Sequence, residues 1–181
     1  VIGTNNKVTG SIINAYGTAV VFGTADNKLG TEGNNQLTLS GTIVNGGLDN
    51  SATILGSNEG DTLILQSGKI KYIDNEVEKS VTQNTIVNGN IDMKDGADIL
   101  TIGAGTIING TLDGGDSDSE DTLNFGVSSV ARSNSAESEE IKIMHNISNF
   151  ENINIGKNTN VTLYEKTIDS NGAIGNLEVT G

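Results

Sequence analysis

The chain has 181 residues, enough for one domain with a sizeable core, and carries 10 Lys+Arg against 23 Asp+Glu for a formal charge of −13. An acidic chain repels phosphate backbones and anionic headgroups, which argues against nucleic acid and membrane surfaces as partners. With no Cys and the single His145, disulfides, thiolate chemistry and multi-histidine metal sites are excluded. No apolar run approaches the roughly 18 residues of a membrane-spanning helix.

Pro is absent and Gly numbers 24. Average usage would place roughly nine prolines in a chain this long. Proline cannot donate to a strand ladder, so its absence fits a chain made of interior strands. Ile, Val and Thr recur throughout, as pleated sheet favours. The chain begins with Val1, shows no basic segment followed by an apolar one, and opens and closes in mid-pattern. Residues 1–181 therefore read as a single segment of a longer protein.

In chain order, Ser11-Ile12-Ile13-Asn14 is the first instance of a word that returns as Thr42-Ile43-Val44-Asn45, Thr85-Ile86-Val87-Asn88 and Thr106-Ile107-Ile108-Asn109. A second word runs Leu37-Thr38-Leu39, Leu63-Ile64-Leu65, Leu100-Thr101-Ile102 and Leu123-Asn124-Phe125. A third follows the first: Leu48-Asp49, Ile91-Asp92 and Leu112-Asp113. Leu37 to Leu63 spans 26 residues and Leu100 to Leu123 spans 23. The longer unit between them contains an apparent inserted loop at 69–83.

A helix-free unit of about two dozen residues with three short strands is one coil of a parallel β-solenoid. About seven or eight coils are expected, stacked at roughly 4.8 Å. Alternation points Leu37, Leu39, Leu63, Leu65, Leu100 and Ile102 inward and Thr38, Ile64 and Thr101 outward. Asn14, Asn45, Asn88 and Asn109 fall at one place in the coil and are expected to stack as an amide ladder. An antiparallel sandwich also has closely spaced turns, but it does not require the same words in successive units. Beyond Phe125 the pattern weakens through a Ser-rich acidic stretch, 127–140, holding the only arginine, Arg132. It resumes at Ile141-Lys142-Ile143, Ile153-Asn154-Ile155 and Val161-Thr162-Leu163, with Phe150 expected to point inward.

Asp61, Asp98 and Asp121 each precede a strand of the second word, so stacking would align three carboxylates. Such acids either cap turns or bridge a cation. The text around Asp61 and Asp98 resembles fragments of the calcium-binding glycine-aspartate (RTX) nonapeptides, although the period here is more than twice nine. In the run 114–121, Asp116, Asp118 and Glu120 alternate like EF-hand ligands, but Asp121 stands where that loop needs Gly and Val127 where it needs Glu. Capping is the expected role. The alternative is a calcium site on Asp61, Asp98, Asp116, Asp118 and Asp121. No Gly-x-Ser-x-Gly elbow accompanies His145, and the basic residues are scattered, so no catalytic residue is expected. A two-carboxylate glycosidase stays open as a weaker alternative.

Gly-Thr-Ile-Val-Asn-Gly (41–46), Thr-Ile-Ile-Asn-Gly-Thr-Leu (106–112) and Ile-Ser-Asn-Phe-Glu-Asn-Ile-Asn-Ile (147–155) resemble the passenger regions of type V autotransporters. The wording is most similar to that of the large fusobacterial-type adhesins. The resemblance implies a right-handed parallel β-helix carried to the cell surface and anchored in the outer membrane by a C-terminal barrel elsewhere in the full-length chain. It also implies an adhesin stalk or binding rod, and the residues themselves lead to no expected catalysis and no expected cofactor, calcium being the alternative. The rod's partner would be a protein or glycan on host cells or other bacteria, met through the insertions at 69–83 and 127–140. A calcium-binding secreted module is the runner-up.

Overall fold

The computed structural model describes residues 6–23, 35–115, 119–126, 139–143, 146–156 and 159–163, and among them there is no helix. The chain begins with β1 (Asn6–Thr9), β2 (Ile12–Asn14) and β3 (Val20–Val21). A second round follows as β4 (Gln36–Ser40), β5 (Ile43–Asn45) and β6 (Ile54–Leu55). The third starts at β7 (Thr62–Gln66), digresses into β8 (Gly68–Asp74) and β9 (Val77–Gln83), and resumes with β10 (Thr85–Asn88) and β11 (Ile91–Asp92). Next come β12 (Ile99–Ile102), β13 (Thr106–Asn109) and β14 (Leu112–Asp113), then β15 (Thr122–Phe125), β16 (Glu139–Ile143) and β17 (Ile147–Ser148). Last are β18 (Asn152–Ile155) and β19 (Thr159–Leu163).

Apart from β8 and β9, which pair only with each other, these strands form three parallel sheets that the chain visits in strict rotation. Their orders are β1-β4-β7-β12-β15-β18, β2-β5-β10-β13-β16-β19 and β3-β6-β11-β14-β17. The described residues thus make five full rounds and two strands of a sixth; the expectation of seven or eight coils also extends over residues 164–181, which lie outside the described residues.

Register follows the repeated words. Leu37, Leu63, Leu100 and Leu123 are successive partners in the first sheet, and Ile43, Ile86 and Ile107 in the second. Strand pairing places like on like because only one residue of each alternating pair can face the core. Leu37, Leu39, Leu63, Leu65, Leu100, Ile102 and Leu123 are fully buried, with Thr38, Ile64, Thr101 and Asn124 partly exposed between them. Val44, Val87, Ile108 and Ile143 from the second sheet and Ile54, Ile91, Leu112 and Ile147 from the third join the same apolar cluster, as does Phe150. Each such side chain contributes roughly 1.5–3 kcal/mol by leaving water. Backbone bonds also continue at the corners, as from Gly41 N–H to the Gln66 carbonyl and from Gly103 N–H to the Leu65 carbonyl.

One expectation needs correction. The third-sheet partner of Ile91 in round two is Ile54, not Leu48, which is 74% exposed. After Asn45 the chain makes an extra turn, with Gly47 and Asn50 at positive φ and Asp49 capping Ser51, before it rejoins the sheet. The inserted segment at 69–83 takes the form of an antiparallel hairpin, β8 and β9. Its two-residue turn, Asn75-Glu76, has positive φ at both positions, the backbone that matches strand twist in tight hairpins. Lys71–Glu78 (2.8 Å) and Lys79–Asp74 ion pairs cross it.

The hairpin lies back across the preceding rounds. Gln83 Nε2 donates to the Gly41 carbonyl at 2.7 Å, and Ser40 Oγ donates to the Ser67 carbonyl at 3.1 Å. Ile70 Cδ1 sits so close to Gly10 that an added Cβ there would lie 2.5 Å from it. Glycines at these corners leave room for the strap.

Candidate functional site

Three features carry the positions singled out by the sequence. The first is a column at the entry to the first sheet. Asp61, Asp98 and Asp121 precede β7, β12 and β15, and in-register pairing of those strands stacks them one round apart. Each carboxylate reaches back one round to the backbone amide of its equivalent. Asp98 Oδ1 accepts the Asp61 N–H at 2.6 Å, and Asp121 Oδ1 accepts the Asp98 N–H at 2.7 Å. The column continues past the predicted residues at both ends. Asp61 Oδ1 accepts the Asn35 N–H at 3.2 Å and the Asn35 side-chain amide at 2.7 Å, while Glu151 Oε2 accepts the Asp121 N–H at 2.6 Å. Asn35 and Glu151 were absent from the sequence expectation. Their signal is position, since each immediately precedes a first-sheet strand.

The column's three aspartates are deeply buried, whereas Glu151 at the end is exposed. Asp61, Asp98 and Asp121 are at most 2% exposed. Asp61 Oδ2 is satisfied by the Ser57 N–H at 2.8 Å, but Asp98 Oδ2 is buried with no hydrogen-bond partner. Burial pushes the Asp98 carboxyl up to about 8, with the charges of Asp121, Asp61 and Asp92 adding to it and the Asp61 amide opposing. Burial likewise raises Asp121 to about 6, helped by Glu151 and Asp113 and opposed by the Asp98 amide. Desolvation outweighs the hydrogen bond in both because a buried carboxylate loses more hydration than one donor restores.

Asp61, Asp98 and Asp121 are thus brought together as a column whose aligned oxygens hold backbone amides. Among the described residues, no group of three or more His, Cys, Asp or Glu is placed to hold a metal ion. Asp116 and Asp118 lie outside the described residues, as do His145 and Arg132.

The second feature is the amide ladder at the end of the second-sheet strands. Asn45 Nδ2 donates to Asn14 Oδ1 at 2.7 Å, Asn88 Nδ2 to Asn45 Oδ1 at 2.6 Å, and Asn109 Nδ2 to Asn88 Oδ1 at 2.6 Å. All four side chains share the outward face with Ile12, Ile43, Ile86 and Ile107. A fourth amide pair, Asn154 Nδ2 to Asn124 Oδ1 at 3.0 Å, spans two rounds of the first sheet. Each bond contributes a net ~0.5–1.5 kcal/mol and, more importantly, penalises any slip of register.

The third feature is the β8–β9 hairpin, one of the two insertions expected to make contacts. Tyr72, Ile73, Val77 and Val81 on it are about half exposed or more. The other insertion, 127–140, lies outside the described residues except for the first two residues of β16.

No protein-family model matches this chain, and neither a curated protein nor a solved structure matches it.

Proposed function

We propose that the chain is a right-handed parallel β-helix, part of an autotransporter passenger that stands on a bacterial surface as an adhesin stalk or binding rod without catalytic activity. Support for the coil is the strict rotation through three parallel sheets around one apolar cluster. Parallel crossovers are right-handed in about 98% of cases, which supports the hand. The cell-surface location rests on the resemblance of the repeated words to autotransporter passengers, with the anchoring barrel elsewhere in the full-length chain.

The observation that carries the adhesive reading is the β8–β9 hairpin. It is an ordered, ion-paired projection with exposed Tyr72, Ile73, Val77 and Val81, held on a stack of strands by Gln83 and Ser40. Recognition residues sit disproportionately on projections from a rigid scaffold, and aromatic side chains are frequent anchors of such contacts. The partner is a protein or glycan on host cells or other bacteria.

The test is binding of fluorescently labelled protein to cultured host cells and to bacteria, beside a variant with residues 69–82 replaced by a short Gly-Ser link. Circular dichroism checks that both are folded. The reading predicts saturable binding that weakens about tenfold or more without the hairpin, the scale of losing a recognition anchor. Equal binding by the two proteins contradicts the role given to the hairpin. No saturable binding to either surface overturns the adhesive reading.

A further inference from the structure

We propose that the column Asp61–Asp98–Asp121–Glu151 is a proton-operated clamp, closed on the stacked rounds when Asp98 holds a proton and loosened when it loses it. The inference does not depend on what the chain adheres to.

Geometry carries it. Asp98 is fully buried in the middle of the column, and its two oxygens have different surroundings. Oδ1 is engaged by the Asp61 amide, whereas Oδ2 meets no donor. Leaving a buried oxygen without a donor costs a carboxylate more than a neutral carboxyl. The charged groups acting on Asp98 are all acids, Asp61 before β7, Asp121 before β15 and Asp92 on β11, while the Asp61 amide on Oδ1 opposes them. Those acting on Asp121 are Glu151 before β18 and Asp113 on β14. The nearest lysine along this segment, Lys94, is paired with Asp92 at 3.7 Å. Ionising Asp98 therefore places a charge between like charges without a counter-ion.

The direction follows from proton uptake on folding. Asp98 titrates near about 8 in the folded chain, against an ordinary carboxylate value of about 4 once unfolded. The folded state binds the extra proton across that window. Stability from this group is complete below the lower value and is lost as pH rises towards about 8. Asp121, raised to about 6, adds to the loss over the lower part of the window.

Asn35 shows how the column can be made neutral, because an amide already occupies the equivalent place in round two. The experiment is thermal unfolding of the wild-type protein and of Asp98→Asn from pH 5 to pH 9 at constant ionic strength. The wild-type midpoint should fall by several degrees as pH rises, and most of that fall should vanish in Asp98→Asn. Both proteins retain His145, so the difference between them isolates Asp98. A wild-type midpoint that does not fall between pH 5 and pH 8, or an Asp98→Asn variant with an unchanged pH slope, overturns the clamp. Should Asp98→Asn fail to fold, infrared difference spectra of the wild type decide. The carbonyl stretch of a buried protonated acid at pH 7, titrating away towards pH 9, supports the clamp, and its absence at pH 7 overturns it.

Discussion

Asp98 Oδ1 binds the backbone N–H of Asp61 at 2.6 Å, although 37 residues separate them. The equivalent bond from Asp121 to Asp98 has nearly the same length, 2.7 Å, across only 23 residues. The difference between the two rounds is largely the β8–β9 hairpin, which leaves the chain after β7 and returns before β10. Contacts between rounds are thus insulated from the length of the connection, as expected when closing a longer loop adds little entropy cost. Such a stack can accept a projecting insertion at a corner without disturbing its core.

Leu100 lies in the middle of this core, between Leu63 and Leu123, and is fully buried. Leu100→Ala should cost about 2–5 kcal/mol, since the rounds on either side restrict collapse of the cavity. Chemical denaturation checks it. Thr101→Ala, at the neighbouring partly exposed position, should cost less than about 1 kcal/mol.

Asn88 both donates to Asn45 and accepts from Asn109, whereas Asn14 makes one bond at the exposed end of the ladder. Asn88→Ala should therefore cost about 1–3 kcal/mol and Asn14→Ala about 1 kcal/mol or less. Equal effects in denaturant melts would argue that the ladder contributes little.

Glu76 adopts a φ of 65° in the hairpin turn, a region in which an L side chain is strained by about 1–2 kcal/mol. Glu76→Gly should relieve most of that strain and raise amide-exchange protection in β8 and β9 several-fold. The global melting midpoint should barely move, because most hairpin residues are exposed.

Gly68, at the foot of the hairpin, has room for no side chain. An added Cβ would lie 2.7 Å from the Ser40 carbonyl carbon and 2.8 Å from its oxygen, which are backbone atoms of the preceding round. Gly68→Ala should lever the strap from its corner, break the Gln83–Gly41 bond and hasten proteolysis within 69–82. Limited digestion with a lysine-directed protease reads this at Lys69, Lys71 and Lys79.

Much of the fold is legible in the words themselves. Leu-x-Leu alternation marked the first-sheet strands because both apolar positions must face inward, and their recurrence marked the rounds. Leu48 misled because an apolar-Asp pair after Asn-Gly looks like Ile91-Asp92. The chain's extra turn at Gly47 decides otherwise, and its positive φ is not written in hydropathy. The hairpin was hidden for a related reason: Ile70 meets Val81, and Tyr72 meets Lys79, in an antiparallel register outside the repeat. In the acid column, Asp61, Asp98 and Asp121 shared both residue type and position, whereas Asn35 and Glu151 shared only position. That the carboxylates hold backbone amides depends on the direction of each side chain, which stacking alone does not reveal.

The central claim is that residues far apart in sequence stack round upon round. Thr38, Ile64, Thr101, Asn124 and Asn154 occupy one outward row of the first sheet. The most direct test uses pairs of nitroxide labels, one always at Thr38 and the other at Thr101, Asn124 or Asn154, with distances read by electron paramagnetic resonance. Stacking predicts that the separation grows in that order, in equal steps of about 4.8 Å per round. Distances that fail to rise in that order, or that jump to the opposite face of a sandwich, would contradict the account.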